Sequence, residues 1–210
     1  MQADPTLAQR ILDTALELGE QRGWDAVHLR DVAAAMDITL ADIQQRYPHK
    51  DALAEAWFDR AESTMVASAN TPDWLELSPR DRLFRAIWSW LDALGAHKAV
   101  TAAMLRYKLQ PDHIHLQVQG LLRVSRTVQW IRETAALPDA GWRRELQEIA
   151  LTGIYLATVA RWLNDDSPDS TATRSMLDRM LANAERAVLR TDFPGSHGGG
   201  GKADPGSWTS

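Results

Sequence analysis

Between Leu29 and Lys50 the chain reads LRDVAAAMDITLADIQQRYPHK, and three adjacent side chains in it, Gln44, Gln45 and Arg46, have the donors and acceptors needed to read base edges. In a DNA major groove a glutamine amide suits adenine and an arginine fork suits guanine. Arg30, Arg46 and Lys50 place three cations on the same short stretch, where they can neutralise phosphates. Asp42 works against them, because a carboxylate facing phosphates is repulsive unless it accepts from a cytosine amino group. Thr39, Leu40 and Tyr47 complete the candidate contact set.

Such chemistry needs two short helices and a tight turn. The spacing of Val32, Ala33 and Met36 predicts one helix, Asp37-Ile38-Thr39 a turn, and Leu40, Ile43 and Tyr47 the inward face of a second. That is a helix-turn-helix, with the second helix offered to a major groove. A first helix is expected from Pro5 to Arg22, with Asp4 as its cap and Gly23 beyond its end.

After the motif, a helix is expected from Asp51 to about residue 69, then a linker over residues 70–78. Ser78-Pro79 opens a helix that stops at Gly95, and a further one spans about residues 96–109. A long helix from Pro111 to Leu137, kinked at Gly120, and two more over Gly141–Asn164 and Pro168–Thr191 follow. The β-branched alternation of strands is missing, so the fold class is all-α. Residues 1–50 are expected to form the helix-turn-helix domain, 51–191 a helical ligand-binding and dimerisation domain, and 192–210 a flexible tail.

Composition narrows the function classes. With 210 residues, 45% of them hydrophobic, the chain can bury a sizeable core. The absence of cysteine excludes disulfides, thiolate metal sites and cysteine nucleophiles. Without an apolar run of membrane length or a signal-like start, a soluble, cytoplasmic protein is expected. Residues 1–60 hold eleven acids against six bases, a difference of minus five that equals the net charge of the whole chain. DNA affinity should therefore be weak or confined to low salt.

No glycine-rich phosphate loop, nucleophile elbow or paired histidine-carboxylate frame is present, so an enzyme is not expected, nor is a cofactor. Asp112, His113 and His115 make a poor metal site, since His-x-His on one helix points its rings about 200° apart. The acidic turn Asp165-Asp166-Ser167-Pro168-Asp169 lacks calcium-loop spacing and reads as a helix start with Ser167 as cap.

Aromatic residues are frequent outside the helix-turn-helix. Phe84, Trp88, Met104, Tyr107, Trp130 and Tyr155 are candidates to line a pocket for a small apolar or lipid-like ligand. Ala150, Gly153 and Ala157 form a small-residue stripe, and Met176, Met180 and Ala184 an apolar one. Together they are wider than one partner helix needs.

The segment Ile11–Leu53, ILDTALELGEQRGWDAVHLRDVAAAMDITLADIQQRYPHKDAL, resembles the TetR family of bacterial regulators. That resemblance implies a dimer formed by the last two helices, an operator DNA partner, a repressor role and a small-molecule effector. It also implies phosphate contacts from Arg30 and Lys50, whereas Asp42 stands where the family usually has Thr or Ser, and Gln44 where it usually has tyrosine. A second segment, Leu151–Met180, resembles the lipid-binding accessory protein of ubiquinone biosynthesis, which shares the fold without using it on DNA. The alternative it implies is an isoprenoid-binding protein that no longer binds DNA.

Overall fold

The computed structural model describes residues 6–108, 114–137 and 141–191. The expected cap Asp4, Pro5, the candidate ligands Asp112 and His113, Pro138 and the tail 192–210 lie outside them. Among the described residues the chain forms nine α-helices and short 3-10 turns, with no strand.

Local chemistry sets most helix boundaries. The first helix, α1 (Leu7–Arg22), starts two residues later than the Pro5 signal suggested. Thr6 is its cap: the Thr6 Oγ1 accepts from the Gln9 amide at 3.3 Å, and the Gln9 Oε1 accepts from the Thr6 amide at 2.7 Å. Gly23 ends α1 at φ 81°, a backbone conformation that side-chain-bearing residues rarely adopt. The motif follows as α2 (Leu29–Met36), a turn with Asp37 left-handed at φ 54°, and α3 (Leu40–Gln44).

The remaining helices are α4 (Lys50–Ala67), α5 (Pro79–Gly95), α6 (Lys98–Lys108), α7 (Ile114–Thr134), α8 (Gly141–Leu163) and α9 (Thr171–Thr191). Ser78 caps α5 as its sequence signal predicts, accepting from the Asp81 amide at 3.1 Å. The expected linker at 70–78 is more than a tether. Trp74, 5% exposed, is buried within it and donates Nε1–H to the Thr134 carbonyl at 2.8 Å, anchoring the segment to the end of α7.

One core runs through the molecule. Ile11 and Leu16 of α1, Ile43 of α3, Leu53 and Met65 of α4, Ile87 and Leu91 of α5, Met104 of α6, Ile131 of α7 and Leu177 of α9 are all fully buried. The first three helices meet the rest along α4 and α6. Trp57 of α4 donates Nε1–H to Thr101 Oγ1 of α6 at 2.9 Å. At Gly19 of α1 an added Cβ would stand 3.2 Å from Val100 of α6, so the two helices are in close approach there. No helix among the described residues is long and apolar enough to cross a membrane.

The α8–α9 turn corrects a second expectation. The sequence predicts a helix from Pro168 with Ser167 as its cap, but Pro168–Ser170 form a 3-10 turn with Asp169 left-handed at φ 52°, and α9 begins at Thr171. Asp165 organises this turn: its carboxylate accepts from the amide and hydroxyl of Ser167 at 3.0 and 2.6 Å and from the Thr173 amide at 2.7 Å, and also from the Thr173 hydroxyl. Those donors, the Ser167 and Thr173 hydroxyls foremost, hold its pKa well below the usual carboxylate range. Because the folded-state value is the lower one, the stabilisation is complete above the ordinary Asp value of about 3.9 and is lost as pH falls from there toward the folded value. Asp165→Asn should therefore lower the unfolding midpoint at neutral pH, and the gap from the parent protein should close in acid. Thermal melts of both proteins from pH 7 downward check this, and a gap constant with pH would contradict it.

Candidate nucleic-acid interface

The second helix of the motif, α3, is short, and its start is fixed by a reciprocal cap. The Thr39 amide and hydroxyl donate to Asp42 Oδ2 at 2.9 and 2.5 Å, while the Asp42 amide donates to Thr39 Oγ1 at 3.2 Å. The Thr39 hydrogen bonds, side chain before backbone, hold the Asp42 carboxyl below its ordinary pKa. The Asp42 carboxylate keeps its charge and is engaged by Thr39 at the helix start. Arg46 reaches back to donate from Nη1 to the Asp42 carbonyl at 2.9 Å.

Gln44, Gln45 and Arg46 are exposed, as are Thr39 and Leu40. Tyr47 is not: it is 8% exposed and donates its hydroxyl to the Ala8 carbonyl at 3.0 Å, tying the turn after α3 to α1. Leu40 overturns its expected place on the inward face with Ile43 and Tyr47, being 52% exposed. The cause is the length of α3. The helix ends at Gln44, so Tyr47 is carried inward by the following turn, and only Ile43 reaches the core from α3 itself.

The two phosphate candidates part ways. The Arg30 side chain is 73% exposed, with Asp31 Oδ1 at 3.8 Å from its Nε. Lys50 turns inward, donating Nζ–H to the carbonyls of Trp24 at 2.5 Å and Asp25 at 3.2 Å, with the Trp24 ring centroid 5.0 Å away. Burial pushes its pKa down, against the pull of Asp25 and Asp51. Between the start of α2 and α3 lies a groove of about 460 Å³ lined by His28, Leu29, Arg30, Leu40, Ala41, Gln44 and Pro48.

Several acids of residues 1–60 are engaged by partners. Asp13 pairs with Arg60 at 2.5 Å, and Glu20 meets His97 at 2.8 Å. Asp31 accepts from the His28 amide at 3.2 Å. Glu55 and Asp59 on α4 face α7, where Arg123 lies 2.5 Å from Glu55 and 2.9 Å from Asp59, and Arg126 lies 2.7 Å from Asp59. Glu62, one turn further, accepts from the Thr127 hydroxyl at 2.6 Å and stands 3.4 Å from Arg123. Sequence reasoning missed this network, although Glu55, Asp59 and Glu62 at i, i+4 and i+7 form a visible acidic stripe.

The six candidate pocket residues are spread over α5, α6, α7 and α8. Met104 is fully buried, Tyr155 packs edge-on against Trp90 at 5.4 Å, and Trp130 is 45% exposed. Phe84 and Trp88 stack at 6.5 Å on α5, with the Arg174 guanidinium of α9 4.0 Å from the Trp88 ring centroid. Tyr107 is half-buried on α6. On α8, Ala150 and Gly153 are exposed beside Ile149, 70% exposed, and Leu156, 46% exposed, with Ala157 half-buried. Met176, Met180 and Ala184 of α9 are half-buried. A metal-binding group of three or more His, Cys, Asp or Glu is absent among the described residues.

A model of bacterial regulatory proteins of the tetR family matches residues 11–57, and a COQ9 family model matches residues 147–188. No curated protein matches the chain. A TetR transcriptional regulator from Nitrosomonas europaea is 42% identical, over 86% of this chain and 98% of that one, with a TM-score of 0.77. TetR regulators from Rhodococcus sp. RHA1 and Streptomyces coelicolor share the fold at 20% and 19% identity. They cover 83% and 91% of this chain and 94% and 93% of their own, with TM-scores of 0.60 and 0.58. With a helix-turn-helix at residues 29–44, an all-helical body and a relative this similar along nearly its whole length, the chain belongs to the TetR family of bacterial regulatory proteins.

Proposed function

We propose that this chain is a homodimeric, DNA-binding regulator of transcription in the cytoplasm, acting as a repressor, with residues 1–50 on the operator and 51–191 dimerising and sensing a small apolar effector. The observation that carries the reading is the composition of the exposed face. Gln44, Gln45, Arg46 and Arg30 point to solvent there, while the carboxylates of Asp31 and Asp42 are held in helix caps and those of Glu55 and Asp59 against α7. The net charge of minus five still makes the affinity weak at high salt. An effector acts by favouring a body conformation in which the two recognition helices no longer match one groove repeat. No catalytic or cofactor role is part of this reading.

Arg30 and Lys50 supply its test. Arg30→Ala should remove one phosphate contact per protomer, lowering the slope of log affinity against log salt by about 0.9 for each. Lys50 is proposed to hold the start of α4 against the Trp24–Ala26 turn, so Lys50→Met should weaken binding by a similar factor at every salt concentration. Fluorescence anisotropy of a bound duplex over a salt series separates the two. An unchanged slope for Arg30→Ala would contradict the assignment.

The COQ9 match over residues 147–188 favours a second reading, in which the body carries an isoprenoid-like lipid and the headpiece has no operator. That match covers α8 and α9 only, whereas the outward cationic and amide face lies on α2 and α3.

A further inference from the structure

We propose that Leu40 is a specificity-determining residue, seating the 5-methyl group of one thymine in each operator half-site; this rests on the DNA-binding reading above. Among the described residues up to Arg60, Leu40 is the one large aliphatic or aromatic side chain left exposed, at 52%. It does not stand alone. With Leu29, Ala41 and Pro48 it supplies the apolar lining of the groove between α2 and α3, whose polar lining is His28, Arg30 and Gln44. The Thr39–Asp42 cap fixes the first turn of α3 and so keeps Leu40 outward.

An apolar wall gains nothing from a phosphate or a sugar hydroxyl. In the major groove the apolar feature on offer is the thymine methyl, which cytosine, guanine and adenine lack. The exposed Arg30 guanidinium on the same groove supplies the charge complement for the duplex backbone. Leu40 and Gln44 are one helical turn apart on one face, about 6 Å along the axis. That distance spans roughly two base-pair steps of about 3.4 Å. The half-site should therefore hold a thymine read by Leu40 and, about two steps away, an adenine read by the Gln44 amide.

The test uses the full-length chain and a random-sequence duplex library, from which bound duplexes are selected at low salt. In a selected duplex each thymine is replaced singly by deoxyuridine, which deletes only the methyl. One position per half-site should lose about fourfold in affinity, the value of one buried methyl group. Leu40→Ala, which removes the side chain from both protomers, should lose about sixteenfold on the thymine duplex and nothing further on a duplex carrying deoxyuridine at that position in both half-sites. Because Leu40 lies outside the core, the variant should keep the parent's helical circular dichroism and melting point. Selected duplexes that tolerate deoxyuridine everywhere would overturn the assignment of Leu40 and leave the DNA reading standing. Failure to select any duplex would overturn the DNA reading, and the assignment with it.

Discussion

Replacing Arg123 by alanine is expected to cost about 3–5 kcal/mol of unfolding free energy, the usual penalty for stripping one partner from a buried ion pair. The Arg123 side chain is 10% exposed and its guanidinium lies among Glu55, Asp59 and Glu62, with the Phe58 ring centroid 5.3 Å away. Glu55 and Asp59 are solvated enough to tolerate the loss, but the Glu62 side chain is 9% exposed and would keep only the Thr127 hydroxyl and Arg126, the latter 3.6 Å away. For a protein of this size the change corresponds to a fall in Tm of roughly 6–20 °C. Pairing Arg123→Met with Glu62→Gln removes both charges at similar volume and should recover most of it, since the penalty comes from the orphaned carboxylate. Denaturant unfolding of the parent, single and double variants reads this directly. A single variant within about 1 kcal/mol of the parent would mean that the pair contributes little.

Gly153→Leu is expected to raise the dimer dissociation constant at least about 30-fold while leaving the protomer folded. Within one protomer an added Cβ at Gly153 meets nothing within 4 Å, so the substitution is sterically free there. In the proposed dimer Gly153 lies on the α8 stripe with Ala150 and Ala157, beside the exposed Ile149 and Leu156. A two-fold interface presents that stripe from both copies, so the extra side chains are counted twice, at about 1–3 kcal/mol each for overpacking. Light scattering across a concentration series, with circular dichroism as the control on folding, distinguishes lost assembly from lost structure. Unchanged dimer mass in a folded variant would remove α8 from the interface.

Much of the helical frame was legible because its signals are local. Ser78-Pro79 at the start of α5, Gly23 after α1 and Gly95 at the end of α5 act within one turn of the chain, and the structure places them as expected. Less legible were features that depend on partners distant in sequence. Trp74 is in a polar stretch whose composition reads as a linker, yet its indole reaches a carbonyl sixty residues away. Asp165 was hidden behind the more obvious Ser167-Pro168 signal, although it accepts from both ends of the turn.

The candidate interface shows the same division. Residue types at 44–46 indicated base-reading chemistry, and the structure leaves those side chains exposed. Which charges face outward was not legible from the headpiece alone. The partners of Glu55 and Asp59, Arg123 and Arg126, lie more than sixty residues further along the chain. Lys50 found carbonyls in the Trp24–Ala26 turn that no local pattern announces. Leu40 was misplaced because helical periodicity was extended past Gln44, where α3 stops.

The central claim is that the α2–α3 face binds duplex DNA, and one purification tests it most directly. The full-length protein would be isolated from its host, incubated with fragmented genomic DNA over a salt series, and the same preparation analysed by mass spectrometry for bound lipid. The account predicts retained fragments that share a two-fold repeated sequence, with affinity falling linearly in log salt. Retention of no fragment even at low salt, from a folded dimer carrying an isoprenoid lipid, would contradict it.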